Sequence, residues 1–160
     1  MSDSDLLPPS IDPDIKKIGI RRLSAHNDAS ARTVITVRDF EVVTDEVDGG
    51  NTGPTPLETT LASLTGCEGV IINRCAEAMR FSYSAVDIDA EGEVDGRGSR
   101  GVRGVRPYFL SVKLDIRIKT NEPENRLAKL QRNVENRCPV MNLFRDAGVD
   151  VTAHWTAVSD

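Results

Sequence analysis

The sequence predicts an α+β fold, because strand-like and helix-like segments fall in separate runs along the chain. Segments such as ARTVITVRDFEVVT and PYFLSVKLDIRIKT alternate apolar and polar residues, as strands do, and two other segments carry apolar residues at helical spacing. The predicted order is three strands, a long helix, two strands, a second helix and a final strand. At 160 residues we expect one domain over residues 14–160, after a flexible, acidic and proline-rich tail over residues 1–13.

The strands are predicted from runs that are rich in β-branched residues and roughly alternating. These runs are KKIGIRRLSA, ARTVITVRDFEVVT, SAVDIDAEGEVDG, PYFLSVKLDIRIKT and VDVTAHWTAV, the first two of which supply two or three strands. The alternation is clearest in the fourth run. Its residues predicted to share one face are Tyr108, Leu110, Val112, Leu114, Ile116 and Ile118.

A long helix is predicted from about Pro56 to Met79. Thr55 is a good N-cap residue, Pro56 suits the first helical position and Glu58 lies at the third, which together form a capping box. The apolar stripe of this helix consists of Leu57, Leu61, Leu64, Ile71, Ile72, Cys75 and Met79.

Two cysteines of this helix have different positions relative to the stripe. Cys75 lies close to its centre and is predicted to be a small buried hydrophobic residue. Cys67 lies about 60° to one side, at the border of the stripe. Gly66 and Gly69 flank it and would let another chain segment approach closely. The pattern therefore makes Cys67 the candidate for chemistry.

The second helix is predicted from about Glu122 to Arg137, and the third cysteine, Cys138, follows it directly. Pro139 is expected to stop the helix and turn the chain away. On this interpretation the Cys138 thiol is presented at a corner of the fold.

The composition excludes several classes of protein. The net charge is -5 and the calculated pI is about 5.1, so nothing draws the whole molecule toward nucleic acid or acidic membranes. Neither an apolar run of membrane-spanning length nor a secretory signal is present. We therefore expect a cytoplasmic protein whose three cysteines are reduced thiols serving catalysis or packing, and no metal-ligand spacing is present.

Two motifs give a more specific indication. The segment GGNTGPTPLETTLASLTGC, which ends at Cys67, is followed by CPVMNLF, which begins at Cys138. In this order they resemble the OsmC/Ohr family of osmotically inducible and organic hydroperoxide resistance proteins, and the resemblance covers about residues 32–158. It implies a two-layer α+β domain, in which a long central helix packs on antiparallel sheet, and an intertwined homodimer.

The resemblance also implies roles for individual residues. Cys67 matches the peroxidatic cysteine, which attacks an organic hydroperoxide, and Cys138 matches the resolving cysteine. Glu58 matches the glutamate of the motif, and Arg38 is the best match for the active-site arginine, with Arg32 as the alternative. The family's best-known members need no prosthetic group and are reduced by an external dithiol, such as a lipoylated protein.

The chemistry of such a site explains why an arginine is required. A cysteine of ordinary pKa is only a few per cent thiolate at neutral pH, and Cys67 lies about three turns inside its helix, beyond the reach of the helix dipole. Arg38 can supply the missing cation, oriented by Glu58. Because nine helical residues separate Glu58 and Cys67 by about 13 Å on opposite faces, Arg38 must bridge them or a second subunit must complete the site.

Two other functions remain open from the sequence. The chain could be a thiol-dependent binding module with little or no turnover. Alternatively, the arginines of the loop GRGSRGVRGVRP could bind an anion or RNA; they are Arg97, Arg100, Arg103 and Arg106. A mobile, solvated hairpin loop is the simpler interpretation, and the absence of aromatic residues between the arginines gives no support for base stacking.

Overall fold

A computed structural model describes residues 14–159, so the predicted tail over residues 1–13 lies outside the described residues. The described chain forms two compact units, residues 14–60 and residues 61–159. A single domain over residues 14–160 stays a prediction. The α+β class is confirmed, and the elements follow one another in nearly the predicted order.

The first unit contains a three-stranded antiparallel sheet in the order β1-β2-β3. Its strands are β1 (Ser24–Asn27), β2 (Thr33–Val37) and β3 (Phe40–Thr44). The strand predicted to begin at residue 16 starts only at Ser24. Alternation alone does not make a strand. Ile18 and Ile20 are 82% and 63% exposed, so this segment buries no apolar face against the described part of the chain.

Helix α1 (Pro56–Met79) has the predicted bounds. The predicted capping box is also confirmed: the Thr55 backbone N–H donates to Glu58 Oε2 at 2.7 Å, and the Glu58 backbone N–H donates to Thr55 Oγ1 at 3.2 Å. Both bonds satisfy backbone donors that the first turn of a helix leaves unpaired. The boundary between the two compact units falls within this helix, after Thr60.

The second unit contains a sheet in the order β4-β5-β6, made of β4 (Ala85–Val94), β5 (Phe109–Lys119) and β6 (Asp150–Val158). Strands β4 and β5 pair antiparallel, as expected, but β5 and β6 pair parallel. The expectation of antiparallel sheet throughout is therefore wrong for β6. The reason is the connection: two helices cross over between β5 and β6 and return the chain in the same direction.

A β-bulge explains where the predicted alternation in β5 fails. Val112, the first of the regularly alternating residues, is buried as predicted, and so are Leu114, Ile116 and Ile118. The pairing register shifts between Glu93 and Val94, so Phe109 is buried instead of its neighbours. Tyr108 and Leu110, predicted for the buried face, are 40% and 38% exposed. A bulge adds one residue and so reverses the facing of the side chains beyond it.

The core of the second unit lies between α1, this sheet and the two crossover helices. Those helices are α3 (Glu124–Arg137) and α4 (Pro139–Asp146), and a short helix α2 (Gly96–Ser99) precedes β5. Helix α3 begins two residues later than predicted, because Pro123 restricts the residue before it and itself becomes the N-cap. The most deeply buried side chains are Leu64, Ile72, Leu114, Ile116, Ile118, Leu130, Val134 and Met141.

The described helices include none that is long and apolar enough to cross a membrane.

Candidate active site

Cys67 lies on the part of α1 that belongs to the second unit, and its thiol is free and only half-buried. The two glycines beside it were expected to admit a close neighbour. Instead, a Cβ atom added at Gly66 or Gly69 would meet no atom within 4 Å, so both face open space in the described chain. Cys67 itself is therefore partly exposed to solvent in the described chain.

Cys138 is fully buried, which corrects the expectation that its thiol is presented at a corner. The reason lies in Pro139, which does end α3 but also occupies the first position of α4, where proline is favoured. Cys138 is thus the N-cap of α4, and its Sγ accepts a hydrogen bond from the backbone N–H of Met141 at 3.4 Å. The new helix covers the thiol that a simple chain reversal would have exposed.

The Cys67 and Cys138 side chains lie near enough to each other to interact, although 71 residues separate them in sequence. They are not joined by a disulfide in this structure. Burial raises the pKa of Cys138 far above its ordinary value, and the neighbouring Glu68 carboxyl raises it further. The pair therefore combines a half-exposed thiol with a buried thiol that strongly retains its proton.

Glu68 is the member of this cluster that the sequence reasoning missed. Its side chain is fully buried, and neither carboxyl oxygen has a partner with ordinary hydrogen-bond geometry. It interacts with the Cys138 thiol, and burial raises its pKa above the usual value. A signal was available: residue 68 lies one turn from Leu64, Ile71 and Ile72 on the buried side of α1, where a carboxylate is unusual.

Cys75 is buried in the core, as predicted. Burial raises the pKa of its thiol, and a contact with the Arg137 side chain partly opposes that effect. Cys75 follows Cys67 by eight residues of α1, which is just over two turns. The two thiols therefore face different surroundings.

Glu58 and Arg38 both lie in the first unit. The Glu58 carboxylate is engaged by the Thr55 backbone in the capping box. Arg38 occupies the turn between β2 and β3 with a φ of 56°, and its guanidinium lies 5.0 Å from the centroid of the Phe40 ring. Among the described residues no ion pair joins Arg38 to Glu58, so their proposed partnership stays a prediction, as does the choice between Arg38 and Arg32.

The arginine-rich loop is more ordered than a mobile hairpin. Its first part forms α2, in which Arg97 pairs with Asp95 and lowers the pKa of that carboxyl to about 2. Arg106 donates to the carbonyl oxygens of Ala147 and Gly148, at 3.1 and 3.0 Å. Two of the four arginines are therefore engaged within the chain, which weakens the interpretation of the loop as an anion-binding flap.

Comparisons with known proteins agree with this architecture. The model of the family described as OsmC-like protein matches residues 49–154. An OsmC-like protein from Mycoplasma pneumoniae has a similar structure, with a TM-score of 0.78 and 18% identity over 88% of this chain and 98% of that one. No curated protein sequence matches this chain.

Two further solved structures carry names that refer to hydroperoxides. An organic hydroperoxide resistance protein OsmC from Legionella pneumophila is 20% identical over 91% of this chain and 100% of its own, with a TM-score of 0.65. The organic hydroperoxide resistance protein OhrB of Bacillus subtilis is 17% identical over 86% and 98%, with a TM-score of 0.63. At these identities the likenesses show the fold. The family match over most of the chain shows more: this protein belongs to the OsmC family.

Proposed function

We propose that this protein is a cytoplasmic thiol peroxidase that reduces organic hydroperoxides and so protects against oxidative stress. Cys67 is the peroxidatic cysteine: its thiolate attacks the hydroperoxide, releases an alcohol and becomes a sulfenic acid. Cys138 is the resolving cysteine, which forms a disulfide with Cys67 and releases water. An external dithiol, of the lipoylated-protein type, then reduces the disulfide.

The proximity of the Cys67 and Cys138 side chains is the observation that carries this proposal. Disulfide formation requires the two Cα atoms to lie within about 7 Å, a demand that few residues so distant in sequence meet. The difference in exposure suits the two roles, because the half-buried Cys67 can meet a peroxide while the buried Cys138 cannot. The OsmC family and the names of the similar structures favour organic hydroperoxides as the oxidant.

Arg38 supplies the positive charge at Cys67 in this proposal, with Glu58 as its orienting partner, and the active protein is a homodimer. Large apolar side chains on the first unit support a partner subunit: Leu23 is 67% exposed and Phe40 is 59% exposed. An exposed apolar surface of this kind is typical of an interface between subunits. The open space beside Gly66 is compatible with approach by a second chain.

Mass spectrometry after one equivalent of cumene hydroperoxide tests the cysteine roles. We expect the wild-type protein to lose two hydrogen atoms rapidly as the disulfide forms. In Cys138→Ser we expect the protein to gain one oxygen atom, located at Cys67, because the sulfenic acid has no thiol to resolve it. A reaction no faster than that of free cysteine would contradict the peroxidase function and favour a binding module.

Replacing the arginine tests its role separately. We expect Arg38→Ala to slow Cys67 oxidation by about 100-fold or more, because an electrostatic partner of the reacting group contributes on this scale. Arg32→Ala is the matched control, since it removes an equal charge beside the opposite end of β2, and it should leave the rate within about twofold. Stopped-flow measurement of thiol loss gives both rates. The reverse result would move the role to Arg32.

A further inference from the structure

Glu68 is a buried carboxyl group that the reaction described so far does not use. It follows Cys67 directly in α1, is 0% exposed and leaves both oxygens without an ordinary hydrogen bond among the described residues. Burying such a group without partners is unfavourable, and more so when the group is charged. Unsatisfied buried groups of this kind are few in native proteins, and a functional role is one explanation for them.

The charged groups that act on Glu68 come from two elements, α3 and α4. On α3, Glu135 repels a negative charge at Glu68, and on α4, Arg145 attracts one. Arg145 is already paired, because its Nη2 lies 3.0 Å from Glu135 Oε2. The remaining titratable neighbours are thiols: Cys138 in direct interaction, Cys67 beside it in sequence, and Cys75 at longer range. Burial dominates, so Glu68 takes up a proton more readily than an exposed glutamate.

The resolving step creates a need for such a group. Cys138 must lose its proton to attack, but its burial makes a free thiolate rare, and a negative Glu68 nearby makes that thiolate rarer still. The same carboxylate can remove this obstacle by taking the proton while the sulfur–sulfur bond forms. No second negative charge then builds up in the buried cluster. A base of raised pKa is also better matched to a neutral working pH.

We propose, building on the peroxidase function above, that Glu68 is the general base of the resolving step. The Cys138 S–H bond breaks and its proton passes to the Glu68 carboxylate, while the sulfur electron pair forms a bond to the Cys67 sulfur. The S–O bond of the Cys67 sulfenic acid breaks, and its electrons leave with oxygen. That oxygen takes the proton from Glu68 and departs as water, so Cys138 is oxidised, the sulfenic sulfur is reduced and the carboxylate is regenerated.

Glu68→Gln tests this role, because it keeps the shape of the side chain and removes the base. After a pulse of hydrogen peroxide, dimedone trapping reports the sulfenic acid and non-reducing peptide mapping reports the disulfide. We expect Cys67 to oxidise within about twofold of the wild-type rate and disulfide formation to slow by about 100-fold. Wild-type resolution should accelerate with pH over the range in which Glu68 ionises, and Glu68→Gln should lack that acceleration.

A second assay does not depend on peroxidase activity. Ellman's reagent converts Cys67 to a mixed disulfide and releases one coloured thiolate, and attack by Cys138 on that mixed disulfide then releases a second, slower one. In this exchange Glu68 again takes the Cys138 proton, so we expect Glu68→Gln to slow the second release by about 100-fold. If wild type forms no sulfenic acid at all, the proposed function fails, while the exchange assay still decides the role of Glu68.

Two variants separate a base from a structural carboxyl. Glu135→Gln removes a neighbouring charge and should leave both rates within about threefold, whereas Glu68→Asp keeps a carboxylate and should recover part of the rate lost in Glu68→Gln. Thermal unfolding of each variant reports whether the fold is retained. Wild-type rates in Glu68→Gln, or equal losses in Glu68→Gln, Glu68→Asp and Glu135→Gln, would overturn the proposal.

Discussion

Cys75 and Cys138 are both 0% exposed, and burial raises the pKa of both thiols, but their neighbours differ. Cys75 lies on the apolar stripe of α1, where the Arg137 side chain is its polar contact. Cys138 lies at the junction of α3 and α4, near the Glu68 carboxyl and the half-exposed Cys67 thiol. The comparison teaches that burial alone does not distinguish a packing cysteine from a redox candidate. A redox candidate is distinguished from a packing cysteine by a second thiol and a proton acceptor within its reach.

The largest effect expected from this comparison is a complete difference in oxidation between the two buried cysteines. After one equivalent of hydroperoxide, denaturation and alkylation, we expect Cys75 to be recovered as a free thiol and Cys138 to be found linked to Cys67. Cys67 and Cys75 lie about 12 Å apart along one helix, too far for a disulfide. Peptide mapping by mass spectrometry measures both fates.

Cys75→Ala is the matched control for that experiment. It removes a buried thiol that lies about 12 Å from Cys67 along α1, so the yield and rate of the Cys67–Cys138 disulfide should be unchanged. A Cys67–Cys75 link in the wild type, or loss of the disulfide in Cys75→Ala, would break the distinction between the two sites.

A smaller effect is expected on stability. The pKa of Glu68 is raised in the folded state, so folding favours its protonated form. The free energy of unfolding therefore falls as the pH rises from the ordinary glutamate pKa through the raised one. Glu68→Met replaces the unpartnered carboxyl with an apolar side chain. We expect it to increase the free energy of unfolding by about 1–3 kcal/mol at about pH 8, and by less at about pH 4.

Urea denaturation at the two pH values measures this change. Glu135→Met serves as the comparison, since Glu135 is ion-paired with Arg145 and partly exposed, and its replacement should cost no more than about 1 kcal/mol, without a gain that grows with pH. A Glu68→Met variant that is less stable at both pH values would show that the carboxyl stabilises the fold. It would also remove the distinction between the site of Cys138 and the packing site of Cys75.

Local signals predicted much of the molecule from its sequence. The start of α1 follows from Thr55, Pro56 and Glu58, whose capping interactions lie within four residues and need no knowledge of the remaining chain. The burial of Cys75 follows from helical periodicity, and the inward face of β5 from alternation as far as the bulge. These features depend on the chain next to them, so a single sequence is enough to infer them.

The features that the sequence did not reveal depend on tertiary contacts. Pro139 can stop one helix or start the next, and only the packing of α4 over Cys138 decides that it does both. The parallel direction of β6 depends on the whole crossover connection from β5, whose path is set by tertiary packing. Glu68 interrupts an otherwise apolar side of α1, but its neighbour Cys138 comes from a distant part of the sequence, so its importance became visible only with the fold.

The parallel pairing of β6 also has a consequence for biosynthesis. β5 is the central strand of its sheet, and the partner for one of its edges, β6, comes last among the described elements. Until residues 150–158 have left the ribosome, that edge presents unpaired N–H and C=O groups next to an apolar face, a surface to which other nascent chains can add a strand. This edge of β5 therefore stays open to such pairing until β6 has been synthesised and has docked.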